Sequence, residues 1–272
     1  MKPLRILSHG PSESLNDLIA SLREAGVEDI KRIKKVSSTY RGSEDHFIFN
    51  WGTCSPRAIV RGTIFNSPSA VAVARNKLET FKKVEEYSLS NDAIHSHTVW
   101  TEDKWIAKRY LQHGCKVYCR TDLTGSQGSG IVVAHSMEEL VDAPLYTVQA
   151  PVCYEYRAHV FDEDCILVTQ KKRMNQETLE ERGIQQDSEV RNLENGWIFS
   201  VVDVPMLSIP TFAEDVVEAL GLQFGAVDFG MDHIGNFYFF EVNTAPGLEG
   251  TTLRAYRDAI LRKLVNNEEL LS

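Results

Sequence analysis

The chain has 272 residues, 43% of them hydrophobic, and carries 29 basic against 38 acidic side chains for a net charge of −9. That length buries a good core in one large domain or two smaller ones, and the acidic balance disfavours a nucleic-acid backbone as main partner, although a local basic groove can still hold phosphates. No apolar run reaches the length of a membrane span, and the N-terminal MKPLRILSHGPSE lacks a signal peptide's apolar stretch and cleavage site.

Leu4 to Ser8 is a short β-type run, and Ser12 to Ala25 follows as an amphipathic helix with Leu15, Leu18, Ile19 and Leu22 on one face and Gly26 at its end. His9-Gly10-Pro11 supplies one glycine, too few for a dinucleotide-binding loop. Ile30 to Val36 and Asp45 to Trp51 are further strands, so residues 1–69 read as a small α/β lobe. Ser69 to Tyr87 reads as one helix that buries Val73, Leu78, Phe81 and Val84 and carries Lys77 near its middle. Thr98 to Trp100 is extended, Thr101 caps a helix from Glu102 to His113, and Gly114 stops it. Lys116 to Arg120 is a strand with Lys116, Tyr118 and Arg120 on one face.

The next stretch, Gly125-Ser126-Gln127-Gly128-Ser129-Gly130, has three glycines in six residues between strands. Such a tip can approach a ligand closely and aim several backbone N–H groups at it, as gripping phosphates requires; as a bare composition it equally describes a flexible linker. No GKS or GKT follows, so it is not a P-loop. Ser136 and Glu139 form a capping box for a short helix, Tyr146 to Ala150 is a strand, and Glu155 to Phe161 pairs with Cys165 to Lys172 as a hairpin. Glu155, Arg157 and His159 share one face of it. Met174 to Glu189 is polar and reads as a loop or lid, Trp197 to Val202 is extended, and Phe212 to Leu220 is a helix ended by Gly221.

The most informative stretch is Gly225 to Leu253. Phe224 to Met231 and Phe237 to Asn243 flank a turn and read as a hairpin; with the turn centred near His233 and Ile234, Asp228 falls opposite or nearly opposite Glu241, and Asn243 lies on the same face as Glu241. Val227, Phe229, Phe240 and Val242 are its expected core side. Facing carboxylates repel unless a cation or shared proton compensates, and a hard divalent ion completed by phosphate oxygens suits such a set; an ordinary exposed hairpin with an acidic polar face carries the same pattern. The Pro246-Gly247 turn that follows suits a substrate-binding loop. Thr252 to Asn266 closes the chain as a helix with Leu253, Tyr256, Ile260 and Leu264 inward. Five cysteines at 54, 115, 119, 153 and 165 show no paired spacing, so a reducing cytoplasm is the expected compartment.

Four ordered motifs, GSQGSGI at 125–131, EYRAHV at 155–160, RNLENG at 191–196, and VDFG with EVNTAPGLEG between 227 and 250, together resemble the ATP-grasp superfamily, in particular the branch of ribosomal-protein glutamate ligases and phage-type ATP-grasp proteins. The resemblance implies a mixed α/β and α+β fold: the pre-grasp lobe 1–69, then a grasp domain 70–272 whose α+β subdomains, 70–150 and 151–272, hold a nucleotide between them. It implies that Lys77, Arg120, the loop residues Gly125, Ser126, Gln127, Gly128 and Gly130, and the hinge residues Gln149 and Val152 bind ATP. Arg120 stands where many members have lysine, and its planar fork leaves that contact geometry open. Arg157, Lys171, Arg191 and Asn192 would serve the reaction, and Asp228, Glu241 and Asn243 would hold Mg²⁺, with Mn²⁺ as an alternative.

The implied activity is an ATP-dependent ligase that joins a small-molecule or peptide carboxylate to an amine through an acyl phosphate, releasing ADP and phosphate. A kinase of the same fold and a non-catalytic ATP-binding switch are the competing expectations. His159 and His233 are expected to be structural or at the surface, and Trp51 to be core.

Overall fold

The computed structural model describes residues 2–8, 10, 12–34, 40, 42–54, 61–91, 93–125, 129–186, 193–203 and 206–269. Strands β1 (Leu4–Ser8), β2 (Ile30–Lys34), β3 (Phe47–Trp51) and β4 (Thr63–Phe65) form a parallel sheet in the order β2-β1-β3-β4. Helix α1 (Glu13–Glu24) starts where Ser12 Oγ accepts the Leu15 N–H, and its leucine and isoleucine stripe is buried. β4 was not expected from the sequence.

The single helix expected from Ser69 is two, α2 (Pro68–Arg75) and α3 (Lys77–Ser90), broken at Asn76. Asn76 is extended (φ −92°, ψ 107°), and its Oδ1 accepts the N–H groups of Leu78 and Glu79. Lys77 is therefore the first residue of a helix rather than a mid-helix charge. A second sheet follows, all antiparallel, ordered β5-β8-β6-β7 from β5 (Trp100–Thr101), β6 (Val117–Arg120), β7 (Ile131–Ala134) and β8 (Leu145–Val148). Helix α4 (Lys104–Gln112) is capped by Asp103, two residues beyond Thr101. The capping box at Ser136 opens no helix: Glu139 reaches back to accept the His135 N–H at 2.7 Å, and the segment is a turn.

The third sheet, ordered β11-β10-β9-β12-β13, is built from β9 (Tyr154–Phe161), β10 (Asp164–Arg173), β11 (Trp197–Val201), β12 (Phe224–Met231) and β13 (Phe237–Asn243). The expected loop after Met174 contains helix α5 (Gln176–Arg182), capped by Asn175 and ended by Gly183 at φ 62°. Helix α6 (Ser208–Ala219) packs Phe212 and Val216 beneath the sheet against Tyr156, Ala158, Val227, Phe229 and Phe239, with Phe81 of α3.

The opposite face is divided lengthwise. At one end Phe161 and Phe224 are covered by Phe49, Trp51 and Phe65 of the first sheet and by Tyr256 of helix α7 (Gly250–Glu269). Trp51 stacks on Phe224 with ring centres 5.2 Å apart, so it is core, as expected. Asn66, at φ 62°, fastens this junction: its Oδ1 accepts the N–H groups of Gln223 and Phe224, and its Nδ2 donates to the Phe224 carbonyl. The other end of the face is polar. Among the described residues no helix is long and apolar enough to cross a membrane.

Candidate active site

The polar end is a row of charged side chains running across adjacent strands. On the β12–β13 hairpin Asp228 lies directly opposite Glu241, and the register shifts by one residue between Asp228 and Phe229. Phe240 is the extra residue of this bulge. It is therefore only partly buried, where strand alternation predicts a core residue, and Phe239 takes the buried place. Gly230 makes room for the displaced ring, since a Cβ there would meet Val152 at 2.3 Å and the Phe240 ring at 2.9 Å.

Each carboxylate faces a cation. Arg157 on β9, paired across from Asp228, donates from Nε and Nη2 to the two Asp228 oxygens at 2.6 and 2.7 Å. Burial pulls the Arg157 guanidinium down, but the charge and hydrogen bonds of Asp228 outweigh it and the net shift is upward. Glu241 lies 3.6 Å from the Lys77 ammonium, which also donates to the Gly125 carbonyl at 2.7 Å. Lys171 on β10 pairs with Glu155 at 2.9 Å. Arg120, at the end of β6, is pushed below its ordinary value by burial, with the charge of Glu241 opposing.

The loop after Arg120 is shaped by Asp122, whose Oδ1 accepts the N–H and hydroxyl of Thr124. Gly130, at φ 73°, closes it: its carbonyl accepts the Thr121 N–H, and a Cβ would strike Asp122 at 2.6 Å. Gln149 donates its N–H to Lys116, and Cys153, next to Val152, donates to Met231, so residues 149–153 cross between the two sheets. Asn243 is opposite Ala226, two positions from Glu241 on β13. The structure thus brings together Lys77, Arg120, Arg157, Lys171, Asp228 and Glu241, with Gly125 and Gly130 in the loop that Lys77 contacts and Asn243 two positions from Glu241, while Gln149 and Val152 lie on the segment that crosses between the sheets. Ser126, Gln127, Gly128, Arg191 and Asn192 lie outside the described residues.

Two neighbours of these side chains carry no sufficient signal in the sequence, Phe199 beside Arg157 and Lys171 and the pairing of Glu155 with Lys171. Their only trace was strand alternation, which places Lys171 opposite Phe199 once the register is known. His159 is buried against Tyr256, and its imidazole is lowered to about 4, chiefly by burial; His233 is exposed in the hairpin turn.

The donor set fits a divalent cation and phosphates. Two carboxylates and an amide oxygen suit Mg²⁺, which leaves its remaining positions to water and substrate. Among the described residues no group of three or more His, Cys, Asp and Glu side chains could hold a metal by itself. The second sheet offers two buried polar atoms without hydrogen-bond partners, Arg120 Nε and Thr147 Oγ1. Strand register puts them on one face, since Tyr118, two residues from Arg120, pairs with Thr147. A polar ligand between the sheets would satisfy both.

No protein-family model and no curated protein matches the chain. Solved structures do match. The ATP-grasp ligase PsnB complexed with its minimal precursor superposes with a TM-score of 0.69 at 12% identity, covering 97% of this chain and 99% of that one. The macrocyclase MdnC bound with precursor peptide MdnA, from Microcystis aeruginosa MRC, gives 0.61 at 13%, with 97% and 99% covered. D-alanine–D-alanine ligase from Bacillus anthracis gives 0.61 at 13%, with 99% of each chain covered. The fold of this chain is the ATP-grasp fold.

Proposed function

We propose that this protein is an ATP-dependent carboxylate–amine ligase of the ATP-grasp type. The observation that carries the reading is the facing pair Asp228 and Glu241, with Arg157 and Lys171 on the same sheet, Lys77 of α3 against Glu241, and the charge of Glu241 acting on Arg120 of β6. Facing carboxylates are costly without compensation, and several cations gathered beside them are what a polyphosphate requires. In this reading residues 1–69 form a pre-grasp lobe, and 70–150 and 151–272 form the two halves of the grasp.

Lys77, Arg120 and the 125–130 loop bind the phosphates of ATP, and residues 149–152 the adenine. Asp228, Glu241 and Asn243 hold Mg²⁺, which when bound neutralises phosphoryl oxygens. Arg157 and Lys171, joined by Arg191 and Asn192, meet the negative charge on the transferred group. A substrate carboxylate oxygen attacks the γ-phosphorus, ADP leaves, and an amine displaces phosphate from the acyl phosphate with loss of a proton. No protein nucleophile is needed.

The precursor-bound PsnB and MdnC structures support a peptide carboxylate as one substrate class, and D-alanine–D-alanine ligase supports an amino acid as another. The nearness to ribosomal-protein glutamate ligases rests on the sequence motifs.

The test is product analysis by mass spectrometry with Mg²⁺ and ATP across pooled acids and peptides, with and without pooled amines. ADP and phosphate formed only when both substrates are present, with a new adduct mass, is the expected result. A phosphorylated product would replace the ligase with a kinase, and nucleotide binding without turnover in any pool would favour a switch module.

A further inference from the structure

Three cations of the site have carboxylate partners: Lys77 with Glu241, Arg157 with Asp228, and Lys171 with Glu155. A carboxylate fixes a cation but cancels its charge, and it takes the same N–H donors that a phosphoryl oxygen needs. Arg157 and Lys171 have a second kind of neighbour. The guanidinium carbon of Arg157 lies 4.3 Å from the centre of the Phe199 ring, and the Lys171 ammonium lies 5.3 Å from the same ring. An aromatic face attracts a cation through its quadrupole without supplying an anion.

Strand pairing sets this placement. Val202 donates its N–H to Val168 and Met174 donates to Gly196, which makes Lys171 and Phe199 a non-hydrogen-bonded pair, the arrangement with the closest side chains. Arg157 stands one strand further in, opposite Thr169, whose short side chain leaves the way to Phe199 open. Two like charges beside one ring repel each other, and the ring offsets part of that repulsion without adding a further anion or taking an N–H donor.

We propose that Phe199 is a positioning residue that holds Arg157 and Lys171 side by side, directed at the γ-phosphoryl group; this rests on the nucleotide-ligase reading above. Mg²⁺-ADP lacks that group and Mg²⁺-AMPPNP has its analogue, so their affinities separate the pair's contribution from that of the rest of the nucleotide. The experiment is calorimetric titration of the full chain with each nucleotide, comparing wild type, Phe199→Leu, Phe199→Tyr and a trifluorinated phenylalanine at 199. The fluorinated ring keeps the shape and weakens the quadrupole, so it remains informative if Phe199→Leu folds poorly.

Both Phe199→Leu and the fluorinated ring are expected to lower AMPPNP affinity roughly tenfold while leaving ADP within about twofold, and Phe199→Tyr to retain both. An equal loss for the two nucleotides, or wild-type AMPPNP affinity with the fluorinated ring, would overturn the positioning role while leaving the nucleotide site standing. Wild-type protein that binds neither nucleotide would remove that site and the proposal with it.

Discussion

Asp228 answers two demands at once, because it fixes Arg157 in the free protein and is a proposed metal ligand. Repulsion between facing carboxylates, taken alone, says that neutralising one should stabilise the hairpin. The bidentate pair says the reverse: Asp228→Asn leaves the Arg157 guanidinium short of its counter-charge. With side chains 14% and 27% exposed the pair is only partly dry, so a loss on the order of 1–3 kcal/mol in urea unfolding is expected. Glu241, 39% exposed and 3.6 Å from Lys77, should cost less than about 1 kcal/mol as Glu241→Gln. Both variants should abolish Mg²⁺-dependent ATP turnover, and wild-type turnover in both would refute the metal assignment. The two acids are legible in the sequence, but their partners are not, since Arg157 lies 71 residues from Asp228 and only the sheet order joins them. His159 makes a second prediction at this scale. Its folded value of about 4 lies below the ordinary 6.5, so the unfolded chain takes up the proton more readily. Its contribution is complete above pH 6.5 and is lost as pH falls toward 4, by about 3 kcal/mol in all. His159→Phe should flatten that part of the stability–pH curve, whatever constant loss Tyr256 suffers; an unchanged slope would show that other groups carry it.

Elements with strong local chemistry are legible in the chain. β12 and β13 appear at the expected bounds because β-branched and aromatic residues flank a turn-rich centre. The bulge at Phe240 escapes, because strict alternation has no place for an extra residue. The α2–α3 break escapes for a similar reason: Ala74, Leu78, Phe81 and Val84 keep a helical period straight through Asn76. Only capping chemistry marks it, with Asn76 three residues before Glu79, as it marks α5 between Asn175 and Gly183. The break decides where Lys77 stands, because its backbone N–H donates to Leu123 just before the 125–130 loop. Asn76→Ala removes the cap and should cost about 1 kcal/mol, while Asn76→Asp should stay near wild type. Nucleotide affinity, followed in the same two variants, should fall with Ala and hold with Asp. Equal affinity in both would show that the helix start is fixed by packing alone.

At the scale of the whole molecule, the first sheet is not an appendage. Phe49, Trp51 and Phe65 pack on Phe161 and Phe224, the strand residues at the far end of the face that carries Arg157 and Asp228. Full burial of such rings is worth roughly 1.5–3 kcal/mol each. The same contacts therefore stabilise the first sheet and anchor the strands of the site. Asn66 adds a polar fastening whose loss would leave the N–H groups of Gln223 and Phe224 without an acceptor in a buried junction. Asn66→Gly tolerates the positive φ, so it removes the hydrogen bonds without adding backbone strain, and a loss of about 2–4 kcal/mol is expected. Because the junction is shared, that loss should lower one common transition rather than release the first sheet alone. Native-state hydrogen exchange makes the distinction. Amides of β1 and β3 should open with nearly the same free energy as those of β12 in wild type, and should fall together with them in Asn66→Gly. Exchange in β1 and β3 several kcal/mol easier than in β12 would mean that the first sheet opens independently, and that the aromatic junction does not bind the two sheets into one cooperative core.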